Sequence, residues 1–126
     1  MSNPSDPISV LVVEDNELVR FVATDVLEEG GFKVLGAGRA DEAIGLLEGN
    51  PDIGILFTDI NMPGSMDGLK LAHYARDRWP SLEMIVTSAR SQASRPLPER
   101  AVFLSKPYRM DQIAQMLRKM TKRIAA

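Results

Sequence analysis

Five short apolar runs alternate along this chain with stretches in which apolar residues recur at helical spacing, and that alternation constrains the fold most. Residues 8–13 (ISVLVV) are continuous and β-branched, as expected of a strand buried on both faces. From Glu17 to Glu29, Leu18, Phe21, Val22 and Val26 recur at helical spacing until Gly30–Gly31 stops the pattern. A second strand is expected at 32–36, a short helix in ADEAIGLLE, a third strand at about 53–58 and a third helix at about 67–79 with Leu69, Ala72 and Ala75 inward. Residues 82–87 (LEMIVT) and 101–104 (AVFL) supply two more strands. The last helix, about Arg109 to Arg123, sets Met110, Ile113, Leu117, Met120 and Ile124 on one face. Strands that alternate with helices in this way join through right-handed crossovers into a parallel sheet covered on both faces, an α/β domain.

The 126 residues suit one domain, expected over 8–124, behind a polar, turn-prone lead-in at 1–7 (MSNPSDP) that is expected to be disordered. A formal net charge of −2 gives no footing for a nucleic-acid or anionic-membrane surface. Cysteine is absent, which excludes disulfides and thiolate metal sites. The N-terminus lacks the pattern of a signal peptide, and no apolar run approaches the roughly 20 residues of a membrane helix. A cytoplasmic location is expected.

Chemistry concentrates where the strands end. Ile55, Leu56, Phe57 and Thr58 run straight into Asp59 and then into the turn-prone INMPGSMDG. A charge there costs several kcal/mol unless it is paired. Sites in open parallel sheets form outside the carboxyl ends of the strands. Strand one ends in Glu14–Asp15, strand three in Asp59 and strand four in Thr87–Ser88, while strand five leads into Lys106–Pro107. Singly, each has an ordinary explanation: Glu14–Asp15–Asn16 as a helix cap, Asp59 as a turn residue, Ser88 as a loop opener, Lys106 as a solvated lysine. Together, three carboxylates, a hydroxyl and an ammonium on one rim are the parts of a phosphate and metal site. His73, the lone histidine, reads as a surface residue of the third helix.

The ordered set VLVVEDN, TDINMPGSMDG, IVTSA and FLSKPY resembles the receiver domains of two-component response regulators over essentially the whole chain. The resemblance implies a flavodoxin-like (βα)5 fold with strand order 2-1-3-4-5. It implies that Asp59 is the phospho-acceptor, that Glu14, Asp15 and Asp59 bind Mg²⁺, and that the Asn61 backbone carbonyl can join them. It gives Ser88 the switch-hydroxyl position, with Thr87 the rival by one residue, Phe103 the switch-aromatic position, and Lys106 the lysine that meets the phosphoryl group, before a cis bond to Pro107. Asn61 and Arg90 would flank the path of a hydrolytic water. The implied donor is a histidine kinase or a histidine phosphotransfer protein, and a phosphorylation-dependent dimer is compatible with the family.

Two stretches depart from the family pattern. One extra residue sits in MPGSMDG, where a tolerated bulge is expected. Only 18 positions separate Ser88 from Lys106, fewer than receivers usually have, and ARSQASRPLPER holds Pro96 and Pro98, so the fourth helix is expected to be short or replaced by a loop. The expected function is a stand-alone receiver, not an enzyme beyond self-catalysed phosphotransfer and autodephosphorylation, signalling by protein–protein contact to a target that sequence does not identify. A metal-dependent phosphohydrolase is the first alternative, disfavoured by Asn at position 61, where a second carboxylate would serve as acid and base. A phosphorylation-independent interaction module is the second, disfavoured by the complete set Glu14, Asp15, Asp59, Ser88 and Lys106.

Overall fold

The computed structural model describes residues 8–62, 64, 66–89 and 95–125. The lead-in at 1–7 and Arg90 lie outside the described residues, as do Pro63 and Ser65 of the loop with the extra residue. The elements are β1 (Ser9–Val13), α1 (Glu17–Glu29), β2 (Lys33–Ala37), α2 (Ala40–Gly49), β3 (Ile53–Asp59), α3 (Gly68–Arg78), β4 (Glu83–Ser88), β5 (Ala101–Ser105) and α4 (Met110–Ala125). The five strands form one sheet in the order β2-β1-β3-β4-β5, and all four pairings are parallel. This is the flavodoxin-like arrangement that the motifs imply.

Two apolar layers sandwich the sheet, which is why its central strands read as unbroken hydrophobic runs. Val10, Val12, Ile55, Phe57 and Ile85 face Ala23 and Leu27 of α1 and Ile113, Leu117 and Met120 of α4. Leu11, Val13, Leu56, Met84 and Val86 face Ala40, Ala43 and Leu47 of α2 and Leu71, Ala72 and Ala75 of α3. Leu69, Ala72 and Ala75 are buried as expected, while on α4 Ile124 remains 36% exposed at the end of the helix. Helix α1 differs from its apolar spacing: Leu18 is 72% exposed, Phe21 68% and Val22 47%. Ala23 and Leu27, one turn apart, take the sheet-facing side, and Leu18, Phe21 and Val22 turn outward. Among the described residues, no helix is long and apolar enough to cross a membrane.

No helix forms among the described residues between β4 and β5. Residues 95–100 are instead fastened to α3 by side chains. His73 Nε2 donates to the Pro96 carbonyl at 2.7 Å, and Arg76 Nε donates to the Glu99 carbonyl at 3.0 Å. Arg95 Nη2 meets Asp67 Oδ2 at 2.5 Å, and Asp67 also caps α3 by accepting from the Lys70 N–H at 2.9 Å. Leu97 packs on the α2–α3 layer and Pro98 is buried. Arg76 Nη1 also donates to the Pro80 carbonyl at 2.8 Å and the Leu82 carbonyl at 2.6 Å, so one guanidinium serves three carbonyls on two segments.

Arg76→Ala should therefore cost about 1–3 kcal/mol in urea unfolding, the range for orphaning hydrogen-bonded backbone groups. It should also speed amide exchange in 95–101 more than in β1 or β3. Equal exchange in wild type and variant would show that Arg76 does not hold this segment.

Candidate functional site

The carboxyl ends of β1, β3, β4 and β5 place Glu14, Asp15, Asp59, Thr87, Ser88 and Lys106 on one rim, while Phe103 lies within β5. Glu14 follows β1, fixed by its N–H to the Ala37 carbonyl at 3.0 Å, and only 7% of it is exposed. Asp15, the next residue, is exposed. Asn16 then caps α1, its Oδ1 accepting from the Val19 N–H at 3.0 Å.

Asp59 closes β3 and is 7% exposed. The backbone around it is tightly specified: the Ile60 N–H donates to the Thr87 carbonyl at 2.9 Å, and the Gly68 N–H donates to the Ile60 carbonyl at 2.9 Å. A Cβ on Gly68 would stand 1.8 Å from the Asp59 carbonyl oxygen, so only glycine fits where α3 begins against the acceptor loop. The Asn61 N–H faces Asp59 Oδ1 at 3.4 Å.

Lys106 reaches the rim from the loop after β5. Its N–H donates to the Ser88 carbonyl at 2.7 Å, and the Lys106–Pro107 peptide is cis. Its Nζ lies 3.0 Å from Asp59 Oδ2 and 3.7 Å from Glu14 Oε1. Burial works against the ammonium, but the hydrogen bond and charge of Asp59, helped by Glu14, outweigh it and raise the Lys106 pKa. For Glu14, burial dominates; Lys106 pulls the other way and the Asp59 charge pushes further up, and the pKa rises to about 7.

Thr87 and Ser88 are both buried at the end of β4, with Thr87 paired in register to Asp59 and Ser88 to Ser105. Thr87 lines a small cavity with Glu14, Asp59, Val19 and Tyr108. Phe103 is half-buried on the edge strand opposite Val86. Tyr108, part of the FLSKPY match but given no role from sequence, packs edge-on against Phe57 with ring centres 5.9 Å apart.

The acidic cluster suits a hard divalent ion. One carboxylate oxygen from each of Glu14, Asp15 and Asp59 lies within 4.8 Å of the others, and buried Glu14 Oε2 has no hydrogen-bond partner. An all-oxygen donor set of this kind suits a hard divalent cation such as Mg²⁺.

Comparison with known proteins identifies the family. A family model for the response regulator receiver domain matches residues 10–118. The chain is 32% identical over 124 residues to the sensor kinase CckA of Brucella abortus (strain 2308), an alignment covering 94% of this chain and 13% of the kinase. It is 32% identical over 117 residues to the C4-dicarboxylate transport transcriptional regulatory protein DctD of Rhizobium meliloti (strain 1021), covering 88% of this chain and 25% of the regulator. The chain thus spans no more than 25% of either relative's length. The crystal structure of the receiver domain from the hybrid histidine kinase CckA matches it with a TM-score of 0.77 at 30% identity, covering 90% of this chain and 98% of that one.

The raised Glu14 pKa makes a signed prediction for the metal-free protein. Folded Glu14 holds its proton up to about pH 7, whereas the unfolded side chain releases it near 4.5. Burying the charged form therefore costs stability progressively as pH rises through that window. In chelator, Glu14→Gln should raise stability at pH 8 by on the order of 1–2 kcal/mol and at pH 4.5 by far less. A stability difference that does not change with pH would remove Glu14 as the source.

Proposed function

Since the chain belongs to the response regulator receiver family, we propose that it accepts a phosphoryl group on Asp59 from a phosphohistidine of a histidine kinase or a histidine phosphotransfer protein, and signals by protein–protein contact. The observation that carries this reading is the placement of Asp59: a carboxylate 7% exposed, 3.0 Å from the Lys106 ammonium, within one cluster of three acids. In the transfer, the P–N bond of the donor breaks, its electron pair stays on the imidazole, and a P–O bond forms to an Asp59 carboxylate oxygen. Such reactions depend on position and charge more than on covalent help from the protein.

Receiver domains bind Mg²⁺ through acidic residues, and here Glu14, Asp15 and Asp59 would hold it, with the Asn61 carbonyl as a further ligand. When bound, the ion offsets negative charge on the phosphoryl oxygens. Lys106, already paired with Asp59, brings a second positive charge to the same oxygens. The hydroxyl of Ser88, or of Thr87 beside it, donates a hydrogen bond to a phosphoryl oxygen, and Phe103 turns toward the space that the hydroxyl leaves. That change is a population shift driven by contacts which exist only with the phosphoryl group. Val19 lines the cavity at Asp59, and its helix exposes Leu18, Phe21 and Val22. An apolar surface abutting the acceptor rim suits docking of a protein donor. A cytoplasmic site of action and a phosphorylation-dependent dimer are compatible with this reading.

With acetyl phosphate and Mg²⁺, intact mass should show a single labile phosphoryl adduct that Asp59→Asn abolishes and Ser88→Ala retains. Amide exchange across 88–103 should slow on phosphorylation in the wild type and respond less in Ser88→Ala. An adduct that survives Asp59→Asn would move the acceptor elsewhere, and steady turnover of a small phosphate ester would make the chain a phosphohydrolase instead.

A further inference from the structure

Arg20 belongs to no motif in this sequence, yet its side chain is built into the acidic rim. It leaves α1 and runs toward the end of β2, where Gly36 and Gly38 leave its path open. A Cβ on Gly36 would stand 3.3 Å from Arg20 Cδ, and one on Gly38 would stand 3.1 Å from Arg20 Nη1. The side chain ends on the backbone of the first acidic residue, where Nη1 donates to the Glu14 carbonyl at 2.7 Å.

That hydrogen bond completes a set. The Glu14 N–H is held by the Ala37 carbonyl at 3.0 Å. The Asn16 side chain is held by the Val19 N–H at 3.0 Å, and the Asn16 carbonyl by the Arg20 N–H at 2.9 Å. Between those anchors, the Glu14 carbonyl is fixed by Arg20, so the backbone that carries Glu14 and Asp15 is held on both sides where their carboxylates meet Asp59. A guanidinium suits this task because it is permanently charged and planar and binds with a fixed geometry. Bonded to a carbonyl, its Nη1 holds the backbone of the cluster without occupying a carboxylate oxygen. Lys106, by contrast, already lies 3.0 Å from Asp59 Oδ2.

We propose that Arg20 is a positioning residue for the metal-assisted acceptor site: by holding the Glu14 carbonyl across the Gly36–Gly38 lane, it presents Asp15 and Glu14 together to a divalent cation. The inference rests on the reading of the rim as a Mg²⁺ and phosphoryl site. Groups that orient metal ligands in this way typically change affinity by about 10- to 100-fold when removed.

The test is a calorimetric Mg²⁺ titration of the full chain as wild type, Arg20→Ala and Arg20→Lys, with the phosphorylation rate from acetyl phosphate measured against Mg²⁺ concentration. Arg20→Ala should weaken Mg²⁺ binding about tenfold. Its phosphorylation midpoint should move to higher Mg²⁺ by the same factor, with the rate at saturating Mg²⁺ close to wild type. Arg20→Lys keeps the aliphatic stem and one donor and should fall between the two; if Arg20→Ala does not fold, the lysine variant decides. Unchanged calorimetric affinity in the folded variants, or a lower saturated rate at an unchanged midpoint, overturns the proposal. A wild type that binds Mg²⁺ but takes no phosphoryl group would sink the phospho-acceptor reading, while the calorimetric comparison would still decide the role of Arg20.

Discussion

A carboxylate almost withdrawn from water at the end of an interior strand is the constraint around which this molecule is arranged. Asp59 is tolerated there because Lys106 Nζ sits 3.0 Å away, brought in from the far side of β4 by the loop that follows β5. Because the Lys106 side chain stays 32% exposed, removing one partner should cost less than the ~3–5 kcal/mol of a fully buried pair, but it still leaves the other charge unmatched. The pair thus ties the sheet edge to its centre. Everything that orients Lys106, including its backbone bond to the Ser88 carbonyl, is also a determinant of the Asp59 environment.

Burial divides the rim unequally. Glu14 is nearly enclosed and tends to hold a proton near neutrality, whereas Asp15, its neighbour in sequence, is exposed. A cation entering the cluster would meet one ligand in contact with solvent and another withdrawn from it. The two acids are adjacent letters of the same chemistry, and only the turn out of β1 separates their behaviour.

Most of the architecture was legible in the sequence, since strands covered on both faces leave continuous β-branched runs, and ISVLVV and IGILFTD carry that mark. The rim was legible too, because a parallel sheet sends every strand end to the same side. What could not be read were matters of facing and fastening. Helical spacing on α1 says that Leu18, Phe21 and Val22 share a side; it does not say that the sheet prefers Ala23 and Leu27. Prolines argued against a fourth helix but could not show that His73 and Arg76, some twenty residues earlier, would hold the segment that replaces it. Gly68 read as a turn residue, while its reason is a carbonyl oxygen that leaves no room for a side chain. Arg20 left no signal, because its partner is a backbone atom.

The way residues 95–100 are fastened also bears on the order of assembly. A crossover helix satisfies its own peptide groups and can begin to form from local contacts alone. Residues 95–100 instead rely on side chains of α3 for the carbonyls of Pro96 and Glu99 and on Asp67 for Arg95. Those partners exist in place only once α3 has settled on the sheet. The approach to the last strand, and to the loop after it that carries Lys106, therefore depends on an element earlier in the chain. Their joining requires contacts between distant residues, the kind that slow folding most. The edge that completes the acceptor's surroundings is accordingly fastened, over residues 95–100, by side chains that another element supplies.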